Sequence, residues 1–229
     1  MLKNKLNNNL RKVLRRIEEE DKKATVWIVG PETGRILYRL VRVLKPVCAL
    51  EIGTSVGYSA LWIAEALAEN CAEGEVLGRL WTVESHAERF ARAEKNIEEA
   101  GMGNRICQIK GHAPEVFSVE GLLPEELDFA FFDATKLEHQ SYFDSIFPRM
   151  KSGGMIVVDN VLSHRTGEMA EFIKMMHCHK GLETVEIPVG DGLLISRIIG
   201  SIVCFGRDSN LNGAFSGVSI YVYSFCSYV

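Results

Sequence analysis

Three features of the sequence predict an α/β fold, a mostly parallel sheet covered by helices on both faces. Short apolar runs alternate with longer amphipathic segments along most of the chain. The runs and segments recur as β-α units, which parallel strands need for their crossovers. The last two runs are joined only by a Gly-Asp-Gly turn, so the sheet closes on a hairpin that adds an antiparallel strand.

Each element follows from its local pattern. The first 23 residues carry eight Lys/Arg against four Asp/Glu and predict a basic helical segment over 1–26 with a solvated face. VCALEI (47–52) reads as a buried strand, and GYSALWIAEALAE (57–69) as a helix with apolar residues at helical spacing. RLWTVE (79–84) is the second strand, and HAERFARAEKNIEEAG (86–101) is a helix that stops on a glycine. RICQIK (105–110) and LDFAFFD (127–133) are the third and fourth strands. The pattern predicts a helix over 139–150, then KSGG and a fifth strand, MIVVDN (155–160). A helix near 167–179 precedes LETVEIPV (182–189) and GLLISR (192–197), strands six and seven.

Composition bounds the function. A chain of 229 residues is long enough for one full domain, and 47% hydrophobic with 24% charged residues suits a soluble globular enzyme. The net charge of −4 gives no general attraction for nucleic acid. No apolar run approaches the roughly 18–20 residues that span a bilayer, and the N-terminus has no secretory h-region. Six scattered cysteines without a CxxC pair predict buried free thiols in a reducing compartment, the cytoplasm.

In parallel α/β sheets, ligands sit beyond the carboxyl ends of the strands. Those ends carry Glu51, Glu84, Asp133, Asp159 and Asn160, four of them acidic. Any one could be a solvated strand end or a cap; together they predict a site. In ALEIGTSVGYSA (49–60), Gly53 and Gly57 are spaced G-x-x-x-G, unlike the dinucleotide fingerprint. The first allows a tight turn, and the second lets a ligand approach the amides of the helix N-terminus. Glu51 can accept from an ammonium or from backbone amides, while Ser59 and the first-turn amides suit a carboxylate. Glu84 is placed to take the two hydroxyls of a ribose. An amino acid joined to a nucleoside is the outline of S-adenosylmethionine.

LEIGTSVGYSALWIA followed by LWTVESHAERFARAEKNI resembles the cofactor half of the S-adenosylmethionine-dependent O-methyltransferases. FFDATK and GGMIVVDNVL resemble the metal-dependent group of catechol and caffeoyl-CoA O-methyltransferases and their small bacterial relatives. The likeness runs over roughly 27–197 and implies a Rossmann-like class I methyltransferase fold with seven strands, acting as a homodimer. It implies that Glu51, Gly53, Thr54, Gly57, Tyr58 and Ser59 line the methionine end of the cofactor. Glu84 would hold the ribose, and His112 and Ala113 would lie near the adenine. Asp133, Asp159 and Asn160 would bind a divalent cation such as Mg²⁺, with Asp133 also facing the cofactor and Lys136 beside the acceptor hydroxyl.

The chemistry agrees with that placement. A phenol near pKa 10 is mostly protonated at neutral pH. Two carboxylates and an amide suit a hard cation that lowers a bound hydroxyl's pKa. Where relatives read D-A-D-K, this chain has Thr135, and the segment after Asn160 is short, which argues against a bulky acyl-CoA acceptor. His177 and His179 lack zinc spacing, and His164 reads as a loop histidine. The expected reaction is methyl transfer to a catechol-like phenol or other vicinal diol. The alternatives are a hydroxyuridine in tRNA, favoured only by the basic N-terminus, and a silent S-adenosylmethionine-binding module, which would not need all four metal and lysine positions. Residues 198–229 resemble nothing; they hold one Arg, one Asp and six of the chain's twenty aromatics.

Overall fold

A computed structural model describes residues 8–24, 26–74 and 77–200. Helices α1 (Asn8–Lys23) and α2 (Gly30–Leu44) precede β1 (Cys48–Ile52). The alternation then runs through α3 (Tyr58–Ala72), β2 (Arg79–Glu84), α4 (Ala87–Glu99), β3 (Ile106–Lys110) and β4 (Leu127–Phe132). It continues with α5 (His139–Ile146), β5 (Met150–Val158), α6 (Ala170–Cys178), β6 (Leu182–Ile187) and β7 (Leu193–Ile198).

The seven strands form one sheet in the order β3-β2-β1-β4-β5-β7-β6. Strands β1 to β5 pair in parallel; β7 runs antiparallel to both β5 and β6. The chain winds outward from β1 to β3, then crosses to β4 on the other side of β1. The switch point, where such sheets open a crevice, therefore lies between the carboxyl ends of β1 and β4.

Both faces are buried, as the continuous apolar strands require. Ala49, Phe129, Phe131 and Val157 point to a core shared with α1 to α4. Their neighbours Leu50, Ile52, Phe132 and Val158 point to a second core with α5 and α6. Helix α3 is apolar almost all round because it lies against the sheet on one side and against α1 and α2 on the other.

Lys12, Arg15, Arg16, Lys22 and Lys23 of α1 are exposed, and Leu10, Val13, Leu14 and Ile17 are buried against α3 and α4. Each such side chain contributes about 2 kcal/mol of burial. Polar contacts extend this support toward the glycine turn. Arg16 Nη2 donates to Asn96 Oδ1 at 2.7 Å, and Asn96 Nδ2 donates to the Val56 carbonyl at 2.8 Å.

Two expectations need correction. The helix predicted over 139–150 ends at Ile146, where Pro148 cannot continue it; a short 3₁₀ turn leads straight into β5 at Met150. The KSGG segment is thus inside the strand, with a register shift between Leu127 and Phe129 absorbing its glycines. The four described cysteines are free but not buried: Cys48 and Cys71 are half-buried, and Cys107 and Cys178 are exposed. Cys107 lies on the edge strand β3, where it and Lys110 are exposed. The aromatic tail from 201 onward, with Cys204 and Cys226, lies outside the described residues.

Candidate active site

Backbone bonds at the strand ends set the floor of the site. The Asp133 amide donates to the Ile52 carbonyl at 2.9 Å, and the Gly53 amide to Val83 at 3.0 Å. The Asp159 amide donates to Phe132 at 3.1 Å. These bonds hold the residues just past β1, β4 and β5 level with one another. Above them opens a cavity of about 590 Å³, within the range of small-molecule sites.

One end of the cavity is built on β2 and β3. Glu84 is almost fully buried, and its carboxylate accepts from the Ser55 amide and from the His86 amide, each at 2.8 Å. Each oxygen keeps a lone pair for a further donor, so the group can still accept from a diol. His112 and Ala113 line the same end. His112 Nε2 stands 3.0 Å from Glu138 Oε1, and the Tyr142 hydroxyl donates to Glu138 Oε2 at 2.6 Å.

The other end carries the acids. Lys136 Nζ donates to Asp133 Oδ1 at 3.0 Å. Asp159 is buried, and its Oδ1 has no hydrogen-bond partner among the described residues. Burial, first, and then the facing Asp133 charge raise the Asp159 carboxyl above the usual range. Asp133 is raised as well, chiefly by burial, with Lys136 acting against it. Asn160 holds a left-handed backbone at φ 64°, and its Nδ2 donates to Asp191 Oδ2 at 3.4 Å. That choice leaves the amide oxygen free to act as an acceptor. The Leu162 amide donates to the Asp191 carbonyl at 2.9 Å, docking the Gly-Asp-Gly turn against this segment.

A buried carboxylate with an orphaned oxygen and a half-buried carboxylate that repels it, beside a free amide oxygen, form a donor set suited to a hard divalent cation. Among the described residues, no three His, Cys, Asp or Glu side chains alone form such a group; the set is two acids and an amide.

Of the predicted residues, the cavity gathers Gly53, Glu84, His112, Ala113, Asp133, Lys136, Asp159 and Asn160. The others support the turn from behind. Glu51 is fully buried; its Oε2 accepts from the Thr82 hydroxyl, and its Oε1 has no hydrogen-bond partner among the described residues. The Thr54 and Thr82 hydroxyls stand 2.5 Å apart. Ser59 is buried beside Glu51, whose charge its hydroxyl favours. The Tyr58 hydroxyl donates to Glu18 on α1 at 2.7 Å, turning that ring away from the cavity. Gly57 caps α3 with φ 88°.

Sequence reasoning missed Asp191, Ser55, Tyr142 and Trp27, all of which line the cavity. Asp191 had a signal, an acid between two glycines, but it was read only as a turn. The other three had none, since nothing local marks a serine or aromatic as facing a cavity.

Burial raises the Glu51 carboxyl from its ordinary 4.5 to about 7, against the hydroxyls of Ser59 and Thr82 and with the charges of Asp133 and Glu84. A carboxyl raised on folding stabilises fully below its unfolded pKa and loses that contribution as pH rises through the folded value. This group alone therefore removes about 3 kcal/mol of stability between roughly pH 4.5 and 7.5. Urea unfolding across that window will show a slope that Glu51→Gln flattens; identical slopes in both proteins would refute the assignment.

The profile of the O-methyltransferase family matches residues 4–199. This chain belongs to the O-methyltransferase family. Its match takes in α1, consistent with the burial of that helix. The chain is 34% identical over 137 residues to a catechol O-methyltransferase of Niastella koreensis, covering 58% of this chain and 58% of that protein. It thus spans little more than half the length of that relative. A caffeoyl-CoA O-methyltransferase of Populus kitakamiensis is 28% identical over 190 residues, covering 74% of this chain and 77% of that one. Among solved structures, the O-methyltransferase TomG of Streptomyces achromogenes, in complex with SAM, superposes with a TM-score of 0.69 at 25% identity. It covers 85% of this O-methyltransferase-family chain and 91% of TomG. The Bacillus cereus O-methyltransferase in complex with SAH shares the fold, with a TM-score of 0.71 at 24% identity over 82% of this chain and 90% of that one. No helix among the described residues is long and apolar enough to cross a membrane.

Proposed function

We propose that this protein transfers a methyl group from S-adenosylmethionine to a hydroxyl of a small catechol-like acceptor, with a divalent cation such as Mg²⁺ in the acid end of the cavity. The observation that carries this reading is the pairing of two unlike ends in one cavity: Glu84 beyond β2, and Asp133, Lys136, Asp159 and Asn160 beyond β4 and β5. TomG, a relative by fold and sequence, was solved with SAM, and the Niastella relative is a catechol enzyme.

In this reading Glu84 accepts from the ribose hydroxyls, and the loop at His112 and Ala113 borders the base. The turn at Gly53 lets the methionine portion lie close to the chain. Asp133, Asp159 and the Asn160 amide oxygen hold the cation, which supplies a lowered hydroxyl pKa when bound. Lys136 stands beside Asp133, where its Nζ can donate to a phenolate oxygen and hold it toward the methyl group. The short segment after Asn160 leaves room for a small acceptor.

Calorimetric binding of S-adenosylmethionine, followed by transfer to a catechol panel with Mg²⁺ and then with EDTA, tests the proposal. EDTA-sensitive transfer is the expected result. Cofactor binding with no phenol methylated would move the acceptor to tRNA or leave the site silent. Glu84→Ala will weaken S-adenosylmethionine binding about 10–100-fold, the loss of one to two charge-assisted hydrogen bonds. Unchanged cofactor affinity in that variant would remove Glu84 from the cofactor site.

A further inference from the structure

His139 is a titratable side chain in the core that the proposed chemistry leaves without a role. It is fully buried at the start of α5, just after the loop that carries Asp133 and Lys136. Its ring packs as a core aromatic does, edge-on to Phe132 and Phe172 at centroid distances of 6.2 and 5.5 Å and tilted against Tyr142 at 5.6 Å. A phenylalanine would fill that cage equally well. What the histidine adds is one hydrogen bond, since Nδ1 stands 3.1 Å from the Thr135 carbonyl. A carbonyl only accepts, so Nδ1 carries the proton and Nε2 is left as a bare acceptor. That nitrogen has no partner among the described residues. Burial, and then the Lys136 charge, push the ring down to about 4, so it stays neutral at physiological pH. A buried acceptor left unpaired costs at least as much as one ordinary hydrogen bond returns. The histidine therefore gains no stability over phenylalanine, and its Nδ1 bond calls for another account.

The bond falls where the loop turns. Thr135 stands between Asp133 and Lys136, and its carbonyl also accepts from the Glu138 amide at 3.0 Å, which closes the 3₁₀ turn Lys136–Glu138. The near end of the loop is held by the Asp133 amide on the Ile52 carbonyl. Two donors on one carbonyl fix the planar peptide that joins Thr135 to Lys136. From that peptide the Lys136 side chain runs to Asp133, with Nζ 3.0 Å from Oδ1. Removing the Nδ1 donor frees one of the two restraints and still leaves the carbonyl paired with Glu138. His139 itself does not line the cavity, whereas Asp133, Thr135 and Lys136 do.

We propose that His139 is a positioning residue for methyl transfer: its Nδ1–H holds the Thr135 carbonyl and so sets the direction in which Lys136 enters the cavity. This rests on the proposed place of Lys136 beside the acceptor hydroxyl. His139 touches neither cofactor nor acceptor, and it neither gives nor takes a proton in the reaction. It acts through Lys136 alone.

Two substitutions separate the donor from the ring. His139→Phe keeps the ring and removes the donor, while His139→Asn keeps a nitrogen donor at the same number of bonds from the backbone and removes most of the ring. His139→Phe should hold its Tm within about 3 °C of wild type or above it, since it also removes the orphaned Nε2. Its S-adenosylhomocysteine Kd should stay within about threefold, and kcat for catechol with Mg²⁺ should fall about tenfold, as small displacements of a reacting geometry do. His139→Asn should show the reverse, a Tm lower by roughly 5–10 °C from the cavity it leaves and a kcat within about threefold at a temperature where it is folded. A direct readout needs no turnover: the imidazole ¹H–¹⁵N signals lost in His139→Phe should show Nδ1 protonated and Nε2 bare from about pH 7 to about pH 5. A protonated Nε2 in that range overturns the bond and the proposal with it. A kcat that falls in both variants in step with Tm makes His139 a packing residue and also overturns it. If wild-type protein methylates catechol with Mg²⁺ and His139→Phe matches its kcat, the inference alone fails. If wild-type protein methylates no catechol, the functional reading fails and the inference with it.

Discussion

Asp159→Ala will retain S-adenosylmethionine affinity within about threefold and lose methyl transfer by about 10²-fold or more, as loss of a direct cation ligand should exceed the 10–100-fold typical of outer-shell partners. The two effects separate because Asp159 belongs to the acid end of the cavity, beyond β5, while Glu84 lies beyond β2. The same change should not destabilise the fold near neutral pH. Asp159 is buried with an orphaned Oδ1 and repels Asp133, so truncation removes an unfavourable charge, not a satisfied network. A bound cation stabilises the native state in proportion to its occupancy. Millimolar Mg²⁺ should therefore raise the wild-type Tm and leave that of Asp159→Ala unmoved. Full EDTA-insensitive transfer by the variant would rule out the cation reading; equal loss of cofactor affinity would place Asp159 in the cofactor site instead.

The parts of this site that were legible in the sequence are those where strand pattern and chemistry coincide. Glu84, Asp133 and Asp159 could be found because each ends an apolar run, and parallel strands bring such ends to one edge of the sheet. The parallel pairing of the first strands and the antiparallel strand at the C-terminal hairpin follow from βα repetition and a short turn; the order of the strands does not. What periodicity could not show is which way a side chain turns after the strand has ended. Glu51, Tyr58 and Ser59 sit in the most recognisable motif of the chain, yet Thr82, Glu18 and neighbouring burial claim them. Their partners are 31 and 40 residues away for Glu51 and Tyr58, beyond any local pattern. Asp191 and Trp27 reach the cavity only because the β6–β7 turn and the α1–α2 connection fold over it. The exposure of Cys107 depended on β3 being an edge strand, which is a property of sheet order and not of the cysteine's neighbours.

Gly53→Ala will be among the most destabilising single substitutions in the protein, and it will damage the active site through the backbone. Gly53 has φ 104°, and an added Cβ would lie 2.2 Å from the Asp133 carbonyl oxygen and 2.7 Å from its carbonyl carbon. Both obstacles are main chain, held by the Asp133 amide's bond to Ile52 at 2.9 Å, so no side-chain rotation can relieve them. Left-handed strain and overpacking together should cost roughly 3–5 kcal/mol, or on the order of 10 °C in Tm for a domain of this size. Gly153 provides the comparison. It has φ 81° with nothing within 4 Å of an added Cβ, so Gly153→Ala should carry the strain alone and cost about 1 kcal/mol. The difference between the two measures the contact between the β1 and β4 turns, separated from the conformational preference of glycine. That contact is also the switch point of the sheet, and a shift of the Asp133 backbone moves the carboxylate that pairs with Lys136. At a temperature where Gly53→Ala remains folded, its methyl transfer should fall further than its cofactor affinity. Equal Tm losses for Gly53→Ala and Gly153→Ala would mean that the two turns do not meet as closely as described, and that the site's floor is set by the strands alone.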